Sequence, residues 1–122
     1  MSNEFLFTQS HEWVQFLDDT TARIGISDYA QSELGDLVFI SLPEEGDEVV
    51  VGESFADVES VKAVSNVYSP VTGTIKAINE DLLDQPELVN SDAMDSWFIE
   101  VENITDKAAL LTEEEYKKLI EE

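Results

Sequence analysis

The sequence predicts a mainly β domain with one or two short helices at its periphery. Apolar runs are brief and are repeatedly broken by glycine, proline or polar turn residues, as strands joined by tight connections would be. Helical spacing of apolar residues is confined to residues 28–34 and the C-terminal end. The 122 residues, 43% of them hydrophobic, suffice for one core and are too few for two ordinary domains.

Residues 13–17 (WVQFL) and 22–26 (ARIGI) flank the turn cluster Asp18-Asp19-Thr20 and read as a hairpin. Ser27 is placed to cap a short helix, with Asp28 in a first turn whose dipole favours an acid. Ala30, Leu34 and Leu37 recur at helical spacing, and Gly35 supplies the stop. Residues 37–42 (LVFISL) form an apolar strand ended by Pro43 and the turn Glu44-Glu45-Gly46. Four more short strands are expected at 48–52, 54–60, 63–69 and 73–78, and a last one at 96–101. Thr112 and Glu115 make a capping box, and Tyr116, Leu119 and Ile120 share a face, so the chain closes with a helix. The large aromatics Trp13 and Trp97 are assigned to the core.

Asp and Glu number 28 against six Lys and Arg, for a net charge of −22. Nucleic acid and anionic membrane surfaces are excluded as partners, since both require basic side chains to neutralise phosphate. The acids give a solvated, solubilising surface. With no cysteine, disulfides and thiolate metal sites are excluded, and one histidine, His11, cannot form a cluster. No metal site is expected, and His11 reads as structural. No nucleophile–base set or phosphate loop suggests a stand-alone enzyme. The N-terminal residues show no export or transit signal, and no run has membrane-spanning length. The expectation is a soluble, cytoplasmic, monomeric protein.

One side chain stands apart from the acids. Between Arg23 and Lys76 the only basic residue is Lys62, at the expected tip of a hairpin over residues 54–69. Val61-Lys62 lacks the Asn-Gly or Asp-Gly that type I′ turns favour, although a type I turn tolerates it. Gly46-Asp47-Glu48-Val49-Val50-Val51-Gly52 precedes Lys62, Glu59-Ser60-Val61-Lys62-Ala63 surrounds it, and Tyr68-Ser69-Pro70-Val71-Thr72-Gly73 follows. This pattern resembles that of lipoyl and biotinyl domains. The flanks Val61 and Ala63, with Glu59 upstream, are similar to lipoylated members, whereas biotinyl domains carry methionine on both sides of the lysine. Residues 10–14 (SHEWV), 25–46 (GISDYAQSELGDLVFISLPEEG), 86–90 (PELVN) and the closing LTEEEYKKLIEE resemble the H proteins of the glycine cleavage system.

The resemblance implies a single lipoyl-carrier domain over 1–122, a flattened β-barrel of two similar halves. Its lipoyl-binding core would cover about 20–102 and its C-terminal helical segment about 105–121. It further implies lipoate joined covalently to Lys62 as N6-lipoyllysine, in a non-catalytic carrier. Such a protein takes an aminomethyl group from a glycine decarboxylase, delivers it to an aminomethyltransferase and is reoxidised by dihydrolipoyl dehydrogenase. A lipoate ligase or lipoyl transferase would modify it, with Glu59 and Gly73 in recognition. Gly73 would act by permitting a backbone conformation in the opposing turn, or serve that turn alone. Ser10, Glu12 and Asn66 match the family's cleft for the loaded arm. Glu12 either pairs with the aminomethyl ammonium or, with Ser10, organises the turn into Trp13. Two departures stand out: Asn66 replaces the family's usual acid, and residues 91–97 (SDAMDSW) replace a glycine-rich segment. Alternative readings are an H-like relay donating lipoate to other complexes, and an unlipoylated acidic interaction module.

Overall fold

The computed structural model describes residues 5–120. Nine strands form two open sheets that share one core. The six-stranded sheet runs in the order β1-β2-β3-β9-β8-β5 and the three-stranded sheet in the order β4-β6-β7. The mainly β expectation holds, but the barrel does not close.

β1 (Phe5–Phe7), β2 (Glu12–Phe16) and β3 (Ala22–Ile26) form an antiparallel meander, with Trp13 opposite Gly25. The glycine is required there, since a Cβ at position 25 would stand 2.7 Å from the Trp13 indole. Ser27 caps α1 (Asp28–Leu34) by accepting the Ala30 N–H, and Gly35 ends it at φ 86°. Leu37 fits the helical period of Ala30 and Leu34 yet begins β4 (Leu37–Ser41) instead, because the left-handed glycine turns the chain first.

β5 (Glu48–Val49) is shorter than the expected 48–52 segment. β6 (Ser54–Ser60) and β7 (Val64–Tyr68) form the hairpin foreseen around Lys62, and β8 (Val71–Ile78) crosses back to the larger sheet. Two single-turn helices not foreseen, α2 (Asp81–Asp84) and α3 (Leu88–Ser91), close one end of the core through buried Leu82 and Val89. β9 (Ile99–Lys107) begins and ends later than the strand expected at 96–101. Its pairing with β8 continues to Lys107 opposite Val71, so residues 105–107 are strand rather than the start of a helical segment. α4 (Glu113–Ile120) is confined to the stretch after the capping box, and the expected end at residue 121 lies outside the described residues. Thr112 Oγ1 accepts the Glu115 N–H at 3.2 Å, and Glu115 returns a carboxylate to the Thr112 N–H at 2.9 Å.

The main core holds fully buried Val14, Ile24, Ile40, Val71, Phe98 and Ile99. A second cluster joins Phe7, Trp13 and Tyr116, with Phe7 and Tyr116 stacked at 4.4 Å, and seats α4 on the meander. Trp13 is core, as expected. Trp97 is only half-buried, beneath the Arg23 guanidinium at 4.9 Å.

Candidate functional site: a lysine tip and a groove

The tip of the β6–β7 hairpin shows how its sequence manages without Asn-Gly. Glu59 pairs with Val64, and the Ser60 N–H donates to the Ala63 carbonyl at 2.8 Å. The Ser60 hydroxyl then accepts the N–H groups of Lys62 at 3.3 Å and Ala63 at 3.1 Å. A short hydroxyl side chain of this kind satisfies turn amides locally, so positive φ is not needed. Among described non-glycine residues, positive φ occurs only at His11 and Asn103.

The tip is also tied from behind. The Val61 N–H donates to the Asp36 carbonyl at 3.0 Å. Asn90 fixes that segment on both sides, donating to the Gly35 carbonyl at 2.9 Å and accepting the Leu37 N–H at 2.8 Å. Asn90 thus accounts for one residue of the 86–90 motif whose role the sequence alone did not reveal.

Lys62 is exposed. Its stem leans over the end of α1, where Cε lies 3.8 Å from the Cβ position of Gly35, and a helix C-terminus favours a cation. The other strand cations are engaged. Arg23 and Lys76 share Glu100 at 3.0 and 3.5 Å, and Lys107 lies 5.2 Å from the Phe16 ring. Among the described residues no carboxylate is within ion-pair distance of Lys62, which leaves a presented primary amine.

Beyond the far end of β7 lies a groove of about 460 Å³, lined by Ser10, Glu12, Tyr68, Ser69 and Ala108 among others. Glu12 is 2% exposed and lies at its base. Its Oε1 accepts from Thr8 at 2.6 Å and Ser10 at 2.5 Å, and its Oε2 accepts the Tyr68 N–H at 3.3 Å. Burial raises the Glu12 carboxyl above its ordinary range, and these hydrogen bonds only partly offset the effect. Ser10 and Glu12 therefore do organise the turn before Trp13, while the same carboxylate faces a groove able to receive a positive group.

Asn66 does not line that groove. It stands on the outer face of β7, opposite Asp57 and between Val64 and Tyr68. The three side chains form a line from the tip to the groove, and the four strand rises from Val64 to Tyr68 span roughly 13 Å. Tyr68 and Thr8 join the expected groove pair. The period-two exposure of residues 64, 66 and 68 was the available signal for Tyr68.

Glu59 is exposed immediately before the tip. Gly73 belongs to the other sheet, inside β8 at a register shift against β9, and not in an opposing turn. Its φ is not positive; a Cβ there would meet Val101 Cγ1 at 2.6 Å and the Glu102 carbonyl at 2.7 Å. The need for glycine at 73 is close strand approach. His11 is held by Tyr116 at 2.8 Å, and Tyr116 also bonds Ser27 at 2.6 Å, a tie between α4 and the start of α1. Among the described residues no group of three or more His, Asp and Glu converges on a metal position.

A small β scaffold that stiffens a hairpin around one presented lysine, above a groove with a buried acid, is of the carrier class. The glycine cleavage H-protein family model matches residues 5–122. A glycine cleavage system H protein of Lachnoclostridium phytofermentans is 56% identical over 94% of this chain and 91% of its own. One from Aliivibrio fischeri is 53% identical over 90% and 87%. The crystal structure of a glycine cleavage system H protein from Mycobacterium marinum superposes with a TM-score of 0.92 at 34% identity, covering all of both chains. The chain belongs to the glycine cleavage H-protein family.

Proposed function

We propose that this protein is the lipoylated carrier of a glycine cleavage system, with lipoate joined to Lys62 through an amide. The observation that carries the reading is an exposed lysine on a clasped hairpin tip, with no ion-pair partner among the described residues, in a chain of this family. The residues present fit the group, because a primary amine free of ion pairs is what amide formation requires. When attached, lipoate supplies the dithiolane that receives the aminomethyl group of glycine and later yields it.

The chain's own part is to present and shelter. Ser60 and Asp36 hold the tip in one conformation, so the arm starts from a fixed point. Val64, Asn66 and Tyr68 pave the face between tip and groove. Glu12, held by Thr8, Ser10 and the Tyr68 amide, offers a carboxylate to an ammonium entering the groove, a charge-assisted contact. Glu59 is the charged handle for the lipoylating enzyme, and Gly73 contributes through the close β8–β9 packing of the other sheet. Partners are glycine decarboxylase, aminomethyltransferase and dihydrolipoyl dehydrogenase, with a lipoate ligase or lipoyl transferase for modification.

Intact mass and peptide mapping after expression in lipoate-replete cells test this. Lipoate is expected on Lys62 alone, and Lys62→Arg should fold as wild type yet take none. Lipoate on Lys76, or on no lysine, overturns the reading.

A further inference from the structure

Nine large apolar side chains of the described residues are notably exposed, and four of them surround Lys62. Val38 is 55% exposed, Phe39 51%, Val61 70% and Val64 65%. Strand register places Phe39, Glu59 and Val64 in one cross-strand row on the outer face of the three-stranded sheet. Inward-facing Ile40 and Val58 beneath them are buried, so the row points away from the core. Val38 is added to the row's edge by the irregularity between Leu37 and Phe39, which turns an extra apolar side chain outward. Exposed Asp36, whose carbonyl accepts the Val61 N–H, and exposed Glu59, between Phe39 and Val64, flank and interrupt the patch.

In a chain of net charge −22, solubility would be better served by more acids here than by four apolar groups. We infer that this face is the docking surface for the enzyme that acylates Lys62, and that this enzyme presents an apolar pocket rimmed by lysine or arginine. The inference rests on Lys62 being the attachment site. Geometry selects this occupant over the other partners. Acylation forms a C–N bond from Nζ to the carbonyl of an activated lipoyl group. The carbonyl's bond to its activating group breaks, and one N–H proton leaves. The enzyme must therefore reach Nζ itself, whereas partners that use the finished arm meet its far end. The Lys62 stem leans towards Gly35, on the side of β4, so an enzyme approaching Nζ covers Val38 and Phe39. An apolar centre supplies the binding energy of such a contact, and its acidic rim steers a basic partner.

The test uses full-length protein with a lipoate ligase, lipoate and ATP. Phe39→Ser and Val64→Ser should each raise KM for lipoylation about tenfold, roughly the weight of one interface anchor. Leu17→Ser, on the β2–β3 turn of the other sheet, should leave it unchanged. Hydrogen exchange on the non-acylatable Lys62→Arg protein, with and without ligase, removes dependence on how the serine variants fold. Protection at residues 36–41 and 59–66 is expected. Unchanged KM in both variants, or protection confined to other segments, overturns the docking surface. If wild-type protein takes no lipoate, the attachment reading fails and this inference falls with it; if Lys62 is acylated but the patch is silent, the patch alone is wrong.

Discussion

Glu12 is asked both to organise a turn and to keep a charge at the base of a groove. Burial favours its neutral form, so its folded pKa is raised above the usual 4.5. The stability it contributes is therefore fullest below the unfolded pKa and is lost as pH rises through the folded value. Glu12→Gln has no such titration. The unfolding free energy of wild type, measured against that variant in urea, should shift against wild type as pH rises from 4 towards neutrality. A difference that is flat with pH would mean that the carboxylate is solvated better than its burial suggests. Ser60 is simpler: it lies two residues from Lys62, and its hydroxyl replaces the backbone freedom that glycine would have given the turn.

At the scale of elements, Gly73 shows how a strand constrains its neighbour. The atom nearest a new Cβ that cannot swing aside is the Glu102 carbonyl, so Gly73→Ala forces β8 from β9 or bends both. We expect a loss of about 1–3 kcal/mol, as for other overpacked sites, read from the urea midpoint at unchanged slope. α4 depends on its start instead. Thr112→Ala removes the acceptor for the Glu115 N–H and should cost about 1 kcal/mol. Amide exchange should accelerate along residues 113–120 while β2 and β3 stay protected. Equal acceleration in both would show that α4 and the meander open as one unit, through the Tyr116 bonds to Ser27 and His11.

Across the whole molecule, charge sets the terms. Two of the six basic side chains share Glu100, while 28 Asp and Glu leave the chain at a net charge of −22. Self-repulsion at this net charge opposes compaction, and at about 0.15 M ionic strength the screening length falls to about 8 Å. Thermal unfolding should therefore move to higher temperature between 10 mM and 150 mM sodium chloride. Movement in the other direction would mean that the few ion pairs outweigh the repulsion. Asn66 adds a local version of this balance: an acid there would stand opposite Asp57, a like-charge cross-strand pair. Asparagine avoids it.

What the sequence determined by itself is whatever depends on a few neighbouring residues. The Ser27 cap, the Gly35 stop, the Thr112–Glu115 box, the first hairpin and the position of Lys62 on a turn were all legible, because caps and turns are local hydrogen-bonding choices. Family resemblance then implied a purpose for the lysine, which composition could not. Only the tertiary structure decided that the two sheets stay open, that β9 runs to Lys107 and that Leu37 leaves the helix for a strand. Only it could show Glu12 bonding the amide of Tyr68, 56 residues away, or Asn90 bracing the segment behind the lysine. Those contacts follow from strand order and register, which long-range burial selects among many locally acceptable alternatives.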